Sequence, residues 1–194
     1  MKHVVLNALR RFRDSEEGTA VVSVALWAPF MVSIALSTVE MGALTMRQVS
    51  LERALDKTIR EVKLETGRTW THAQMKTDIC DRATVLTNCD HLLHLEMLSV
   101  DMRDYVAPNP QAECTDTVKL LTSENSDGIE IPLSDRLTAQ RNFENGQAHQ
   151  TMVLRACYKY KPISPLSYFG GAIPKDEKGF TAVVSTGLFV HEPQ

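Results

Sequence analysis

Aspartate, glutamate, lysine and arginine are all missing from Thr19 to Val39, a run of 21 residues reading TAVVSVALWAPFMVSIALSTV. A helix on the surface of a soluble protein does not go so far without a charge, and a buried core helix rarely does. At about 1.5 Å of rise per residue the run spans roughly 31 Å, close to the ~30 Å hydrocarbon core of a bilayer. Its polar residues are Thr19, Ser23, Ser33, Ser37 and Thr38, whose hydroxyls a helix satisfies with its own carbonyls. Cysteine is missing from the first 79 residues.

Catalytic signatures are missing as well. There is no phosphate-binding loop, nucleophile elbow or HExxH zinc motif. Cys89, His91 and His94 lie close together, but a zinc or copper site needs a fourth ligand, and only Cys80 or Glu96 offers itself. A disulfide beside two ordinary histidines is the simpler interpretation. The stretch Ser126 to Glu130 lacks carboxylates at the first and last ligand positions of a calcium loop and reads as a plain turn. The expectation is a non-enzymatic protein with no cofactor and no metal. Lys plus Arg number 21 against 24 Asp plus Glu, for a net charge of -3, so no general electrostatic pull toward nucleic acid exists. A composition of 43% hydrophobic and 23% charged residues excludes a disordered tail or a collagen-like repeat.

What is present is strongly sided. Before the apolar run, MKHVVLNALRRFRDSEEG holds Lys2, Arg10, Arg11 and Arg13 beside Asp14, Glu16 and Glu17. Orientation follows the basic residues, so the N-terminus is expected in the cytoplasm and everything after Met46 outside. That outer part carries 17 of the 21 basic residues, 20 of the 24 acidic ones and all four cysteines. An even cysteine count in an oxidising compartment suggests two disulfides among Cys80, Cys89, Cys114 and Cys157, with three possible connectivities. Pairing of neighbours, Cys80 with Cys89 and Cys114 with Cys157, is the preferred one; four buried free thiols are the alternative.

A basic stretch followed by an apolar run also describes a secretory signal, and Ser33-Ile34-Ala35 is a passable cleavage site. The run is longer than the usual 7–15 residues of such a signal, and the acidic DSEEG lies between the arginines and the run. A cut after Gly18 instead leaves the whole apolar helix on the mature chain, with a new amine at Thr19. RRFRDSEEGTAVVSVALWAPFMVSIALSTVEMG resembles the N-terminal signature of TadE-like pseudopilins, minor pilins of the tight-adherence (Tad, or Flp) type IV pilus system. The matching elements are the Arg- and acid-rich leader, Gly18, the small residues after it, Ala25-Leu26-x-Ala28-Pro29, and Glu40 with Gly42. The ending Phe189-Val190-His191-Glu192-Pro193 is similar to that family's terminal strand and acid-Pro close.

The resemblance is close over about the first 65 residues and looser beyond them. It implies a cytoplasmic prepilin-type leader over 1–18, a transmembrane and assembly helix over 19–46 and a periplasmic α+β domain over 47–194. It implies as partners a prepilin peptidase cutting between Gly18 and Thr19, other major and minor pilins, and the inner-membrane assembly platform. The expected location is the bacterial inner membrane as a single span, with passage into an adhesive pilus. The family places Glu at the fifth mature residue, where it meets the amine of a neighbouring subunit; here that residue is Ser23. A hydroxyl without charge gives a far weaker attraction in low dielectric. Ser23 therefore suits a subunit used rarely, or is a tolerated small residue. A permanently anchored single-span periplasmic binding or sensor module is the alternative function.

Periodicity supplies the rest. Pro29 removes a hydrogen bond near mid-span and is expected to kink the helix. Glu40 is expected at the outer edge with its carboxylate in water. Leu51, Leu55, Ile59 and Val62 form one apolar stripe on a continuation of the same helix, with Gly67 as a stop. Thr71 to Leu86 reads as a second helix capped by Thr71. His91 to Met102 leans to strand, Tyr105 to Gln150 is turn-rich, and Thr151 to Tyr160 alternates as a half-buried strand. Phe180 to Val190 is another strand, expected to pair with it antiparallel. The expected fold is α+β: a long N-terminal helix, half membrane and half amphipathic, packed on a small antiparallel sheet, a pilin-like outline by resemblance.

Overall fold

A computed structural model describes residues 19–65, 68–104, 112–115, 143–147, 149–165 and 167–190. The leader, Gly67, most of the turn-rich stretch and the final acid-Pro ending lie outside the described residues.

One helix, α1, runs unbroken over Thr19–Leu64, 46 residues with Pro29 inside. Its second half folds as the stripe dictates: Leu51, Leu55, Ile59 and Val62 are all buried, joined by Ala54 and Thr58. Helix α2, His72–Arg82, begins at a capping box in which Thr71 Oγ1 accepts from the Gln74 amide and Gln74 Oε1 accepts from the Thr71 amide. It ends at Arg82, short of the expected Leu86, because Ala83 leaves helical geometry. A four-residue helix, α3, Cys89–Leu92, leads into β1, Leu93–Val100, so the strand starts two residues later than the pattern suggested.

Strand β1 pairs antiparallel with β2, Thr151–Tyr160, and β2 with β3, Thr181–Val190, in the order β1-β2-β3. Between β2 and β3 lies a five-residue helix, α4, Tyr168–Ala172. The inner sheet face carries Leu93, Leu95, Met97, Met152, Leu154, Ala156, Tyr158, Val183 and Phe189, all buried against α1 and α2. Gly187 lets α1 come close, since a Cβ there would force the tip of the Ile59 side chain to shift. The outer face of β2 is more covered than a half-buried strand requires. Val153 and Cys157 are buried there, and Arg155 meets Glu96 at 3.4 Å across the strands with both side chains largely enclosed. On β3 the outer face is open, with Val184, Leu188 and Val190 exposed.

Helices α1 and α2 are joined by a polar knot. Thr58 Oγ1 donates to Asp78 Oδ2 at 2.7 Å, and Arg82 donates to Asp78 and to Glu61 Oε1. Burial works against the Asp78 charge, but the hydrogen bonds from Arg82 and Thr58 outweigh it and hold its carboxyl below the usual range.

Candidate functional site

Among the described residues, the stretch of α1 from Val21 to Ile34 packs little against the rest of the protein. Nine large apolar side chains between Val21 and Ile34 are each more than half exposed, Val21 at 68% and Phe30 at 65% among them. They fall on every side of the helix rather than on one stripe, as in a rod meant for an apolar solvent. Burying a large apolar side chain is worth about 1.5–3 kcal/mol, so leaving nine in water costs on the order of 10 kcal/mol, as much as the whole stability of an ordinary domain. Among the described residues this is the one helix long and apolar enough to cross a membrane. The hydroxyls near its outer end bond back to the helix: Ser37 Oγ to Ser33 O at 2.7 Å, Thr38 Oγ1 to Ala35 O at 2.8 Å and Thr45 Oγ1 to Met41 O at 2.7 Å.

Gly18 lies outside the described residues, and Thr19 opens α1. Ser23 sits on the exposed rod, one turn in. Pro29 stands inside a helix that continues on both sides of it; with no N–H, it leaves the Ala25 carbonyl without its helical donor.

The rod meets the folded body at a clasp that the sequence pattern did not announce. Glu40 is fully buried, which corrects the expectation of a carboxylate in water. Its Oε2 accepts from the Ser164 amide at 2.8 Å, and Ser37 Oγ accepts from the Phe169 amide at 3.3 Å. The clasping turn is internally braced. Ser167 Oγ accepts from the Gly170 amide, and Lys175 Nζ donates to the carbonyls of Gly170 and Ile173. Gly170 is required there, because a Cβ would collide with the Ser164 carbonyl oxygen. The body therefore grips the helix from Ser37 onward, ahead of the expected boundary between Met46 and Arg47.

Two turns further along α1, the Arg47 guanidinium stacks 4.4 Å from the Tyr160 ring centroid. Glu40 Oε1, Arg47 Nη1 and the Tyr160 hydroxyl are each buried without a hydrogen-bond partner among the described residues. Burial pushes the Tyr160 phenol up, Glu40 adds to the push, and Arg47 opposes it. The set fixes the helix to the β2 end.

Cys80 is bonded to Cys89 and Cys114 to Cys157, with Cα–Cα separations of 5.6 and 5.3 Å. The first bridge ties α2 to α3; the second pins residues 112–115 over the outer sheet face. Cys89 is thus not gathered with His91 and His94, and no group of three or more metal-donor side chains occurs among the described residues. His94 instead lies 3.6 Å from Glu113 and near His72, whose ring meets Phe143 edge-on at 5.3 Å. Burial, with help from Lys76 and His94, pushes the His72 imidazole down to about 4.

No known protein family, curated protein or solved structure matches the chain.

Proposed function

We propose that this protein is a membrane-inserted minor pilin, or pseudopilin, of TadE type that takes part in assembling a Tad-type adhesive pilus. The observation that carries the proposal is the bare apolar rod that follows Gly18 and runs without a break into the spine of a disulfide-bonded body. Such a helix has two uses in turn. Lipid surrounds it while the subunit waits, and neighbouring helices replace the lipid when subunits are drawn out side by side. Basic leader residues keep the N-terminus in the cytoplasm, and a prepilin peptidase cuts after Gly18. The body presents its surface to other pilins or to the assembly platform. The fold, a long helix on a small antiparallel sheet, is compatible with a pilin-like outline.

Mass spectrometry of protein purified from membranes tests the processing. A mature chain starting at Thr19, lost when the peptidase is deleted, supports the proposal, and a start near Leu36 indicates secretion. Gly18→Trp is expected to abolish piliation or adherence; unchanged filaments would count against the role. Ser23 lacks the charge that would draw a neighbour's amine in lipid, which suits a subunit used rarely; the second reading is a permanently anchored periplasmic binding or sensor module. A chain still beginning at Met1 selects that second reading.

A further inference from the structure

We propose that the turn between β2 and β3 is a second membrane contact, with Ile163 and Tyr168 seated in the headgroup and upper acyl layer of the leaflet nearest the body. The inference rests on α1 spanning the bilayer and adds a surface that the span alone does not imply.

Position comes first. The turn is bonded to α1 at two points, the Phe169 amide on Ser37 and the Ser164 amide on Glu40. At about 1.5 Å per residue, Ser37 lies roughly 27 Å and Glu40 roughly 32 Å along the helix from Thr19. Those distances bracket the ~30 Å thickness of the hydrocarbon core. The clasp therefore holds the turn at the level where hydrocarbon gives way to headgroups.

Chemistry agrees with position. Ile163 is 57% exposed and Tyr168 is 85% exposed, on a turn braced by its own hydrogen bonds. An amphipathic ring with a polar tip is the side chain that collects at a membrane boundary. Beneath Tyr168 and Phe169 is an open groove of about 520 Å³ whose other wall is α1 itself at Phe30, Ile34 and Met41. That wall is continuous with the bare rod, so an acyl chain lying along the rod runs directly into the groove. Lipid is the occupant this continuity selects.

Rigidity completes the case. The Ser167 cap, the Gly170 packing on Ser164 and the Lys175 bonds to carbonyls hold the turn in one shape. Its exposed side chains thus dock the body against the bilayer at a set tilt, and lifting a subunit out of the membrane must also lift this foot.

Depth-dependent fluorescence quenching of the full chain in phosphatidylcholine–phosphatidylglycerol vesicles tests it. One protein carries Tyr168→Trp with Trp27→Phe and Trp70→Phe; a companion carries Trp70→Phe alone and reports on Trp27. If the triple variant loses the near-UV circular dichroism of the parent, Tyr168→Trp alone is used and read as the difference from the parent. The expected result is a loss of emission at position 168 to bromines near the lipid carbonyls, as large as the loss at Trp27 to bromines deep in the chains. An indole at 168 that iodide quenches and lipid bromines do not, beside a lipid-quenched Trp27, overturns the second contact and leaves the span standing. Shelter from both quenchers that grows with the protein-to-lipid ratio puts a second copy in the groove and overturns it too. A Trp27 indifferent to lipid bromines removes the span, and the inference falls with it.

Discussion

Glu40 divides its carboxylate between two situations, one oxygen taking the Ser164 amide and the other buried with no donor among the described residues. Glu40→Ala strands that amide, and an unsatisfied buried donor costs about 1–3 kcal/mol. The melting temperature of the detergent-solubilised variant is expected to fall accordingly, with a smaller loss for Glu40→Gln, which keeps an acceptor. An alanine variant as stable as the parent would show that the clasp carries no energy. His72 makes a pH-dependent contribution. Its folded value of about 4 lies below the ordinary 6.5, so between those values the unfolded chain holds more protons than the folded one. Stability therefore falls as the pH drops through that window, while above it His72 is neutral in both states and contributes no slope. Thermal melts across the window should fall more steeply for the parent than for His72→Gln; parallel slopes would refute the assignment. Nothing in the sequence around Glu40 or His72 distinguishes them from surface residues, because both environments are built by segments far away along the chain.

At the scale of elements, the apolar stripe of α1, the Thr71 cap and the alternation of β2 and β3 were legible, since each depends on residues within a few positions of one another. The ends were less so. Helix α2 stops at Arg82 and the chain folds back to a bridge between Cys80 and Cys89, a contact that local spacing does not impose. Two glycines permit close approaches, Gly187 between β3 and α1 and Gly170 within the clasping turn. Gly187→Ala should press on Ile59 and cost about 1–3 kcal/mol by overpacking. Ile59→Val removes the obstructing methyl and alone costs about 0.5–1.5 kcal/mol. The double variant is expected to be more stable than the sum of the two losses, and strict additivity in chemical denaturation would contradict the contact. Gly170→Ala meets backbone rather than a side-chain tip. It is expected to release the turn from α1, read as faster amide exchange at Ser164 and Phe169.

For the molecule as a whole, the two bridges constrain unequal lengths of chain, 9 residues for Cys80–Cys89 and 43 for Cys114–Cys157. Loop-closure entropy gives about 2.5 kcal/mol for the shorter and about 4 kcal/mol for the longer. Replacing Cys114 and Cys157 by Ser should therefore destabilise more than replacing Cys80 and Cys89, as compared by denaturant midpoints. The reverse order would mean that residues 112–115 add little once pinned. The alternation of Arg155 and Lys159 with apolar residues predicts a half-buried strand whose outer face is open. That face is covered because the longer bridge draws a distant segment across it, and the Glu96 carboxylate supplies the partner that lets Arg155 be enclosed.

The amino-acid order alone determined the rod, its length and its lack of charge, and also the α+β class, because hydrophobic transfer and helical or strand periodicity act over neighbouring residues. The three-dimensional arrangement alone decided where the rod ends and the body begins. That boundary is drawn at Ser37 and Glu40 by backbone amides more than 120 residues further along. A backbone amide looks the same at every position in a sequence, and only folding chooses which one a buried carboxylate will meet.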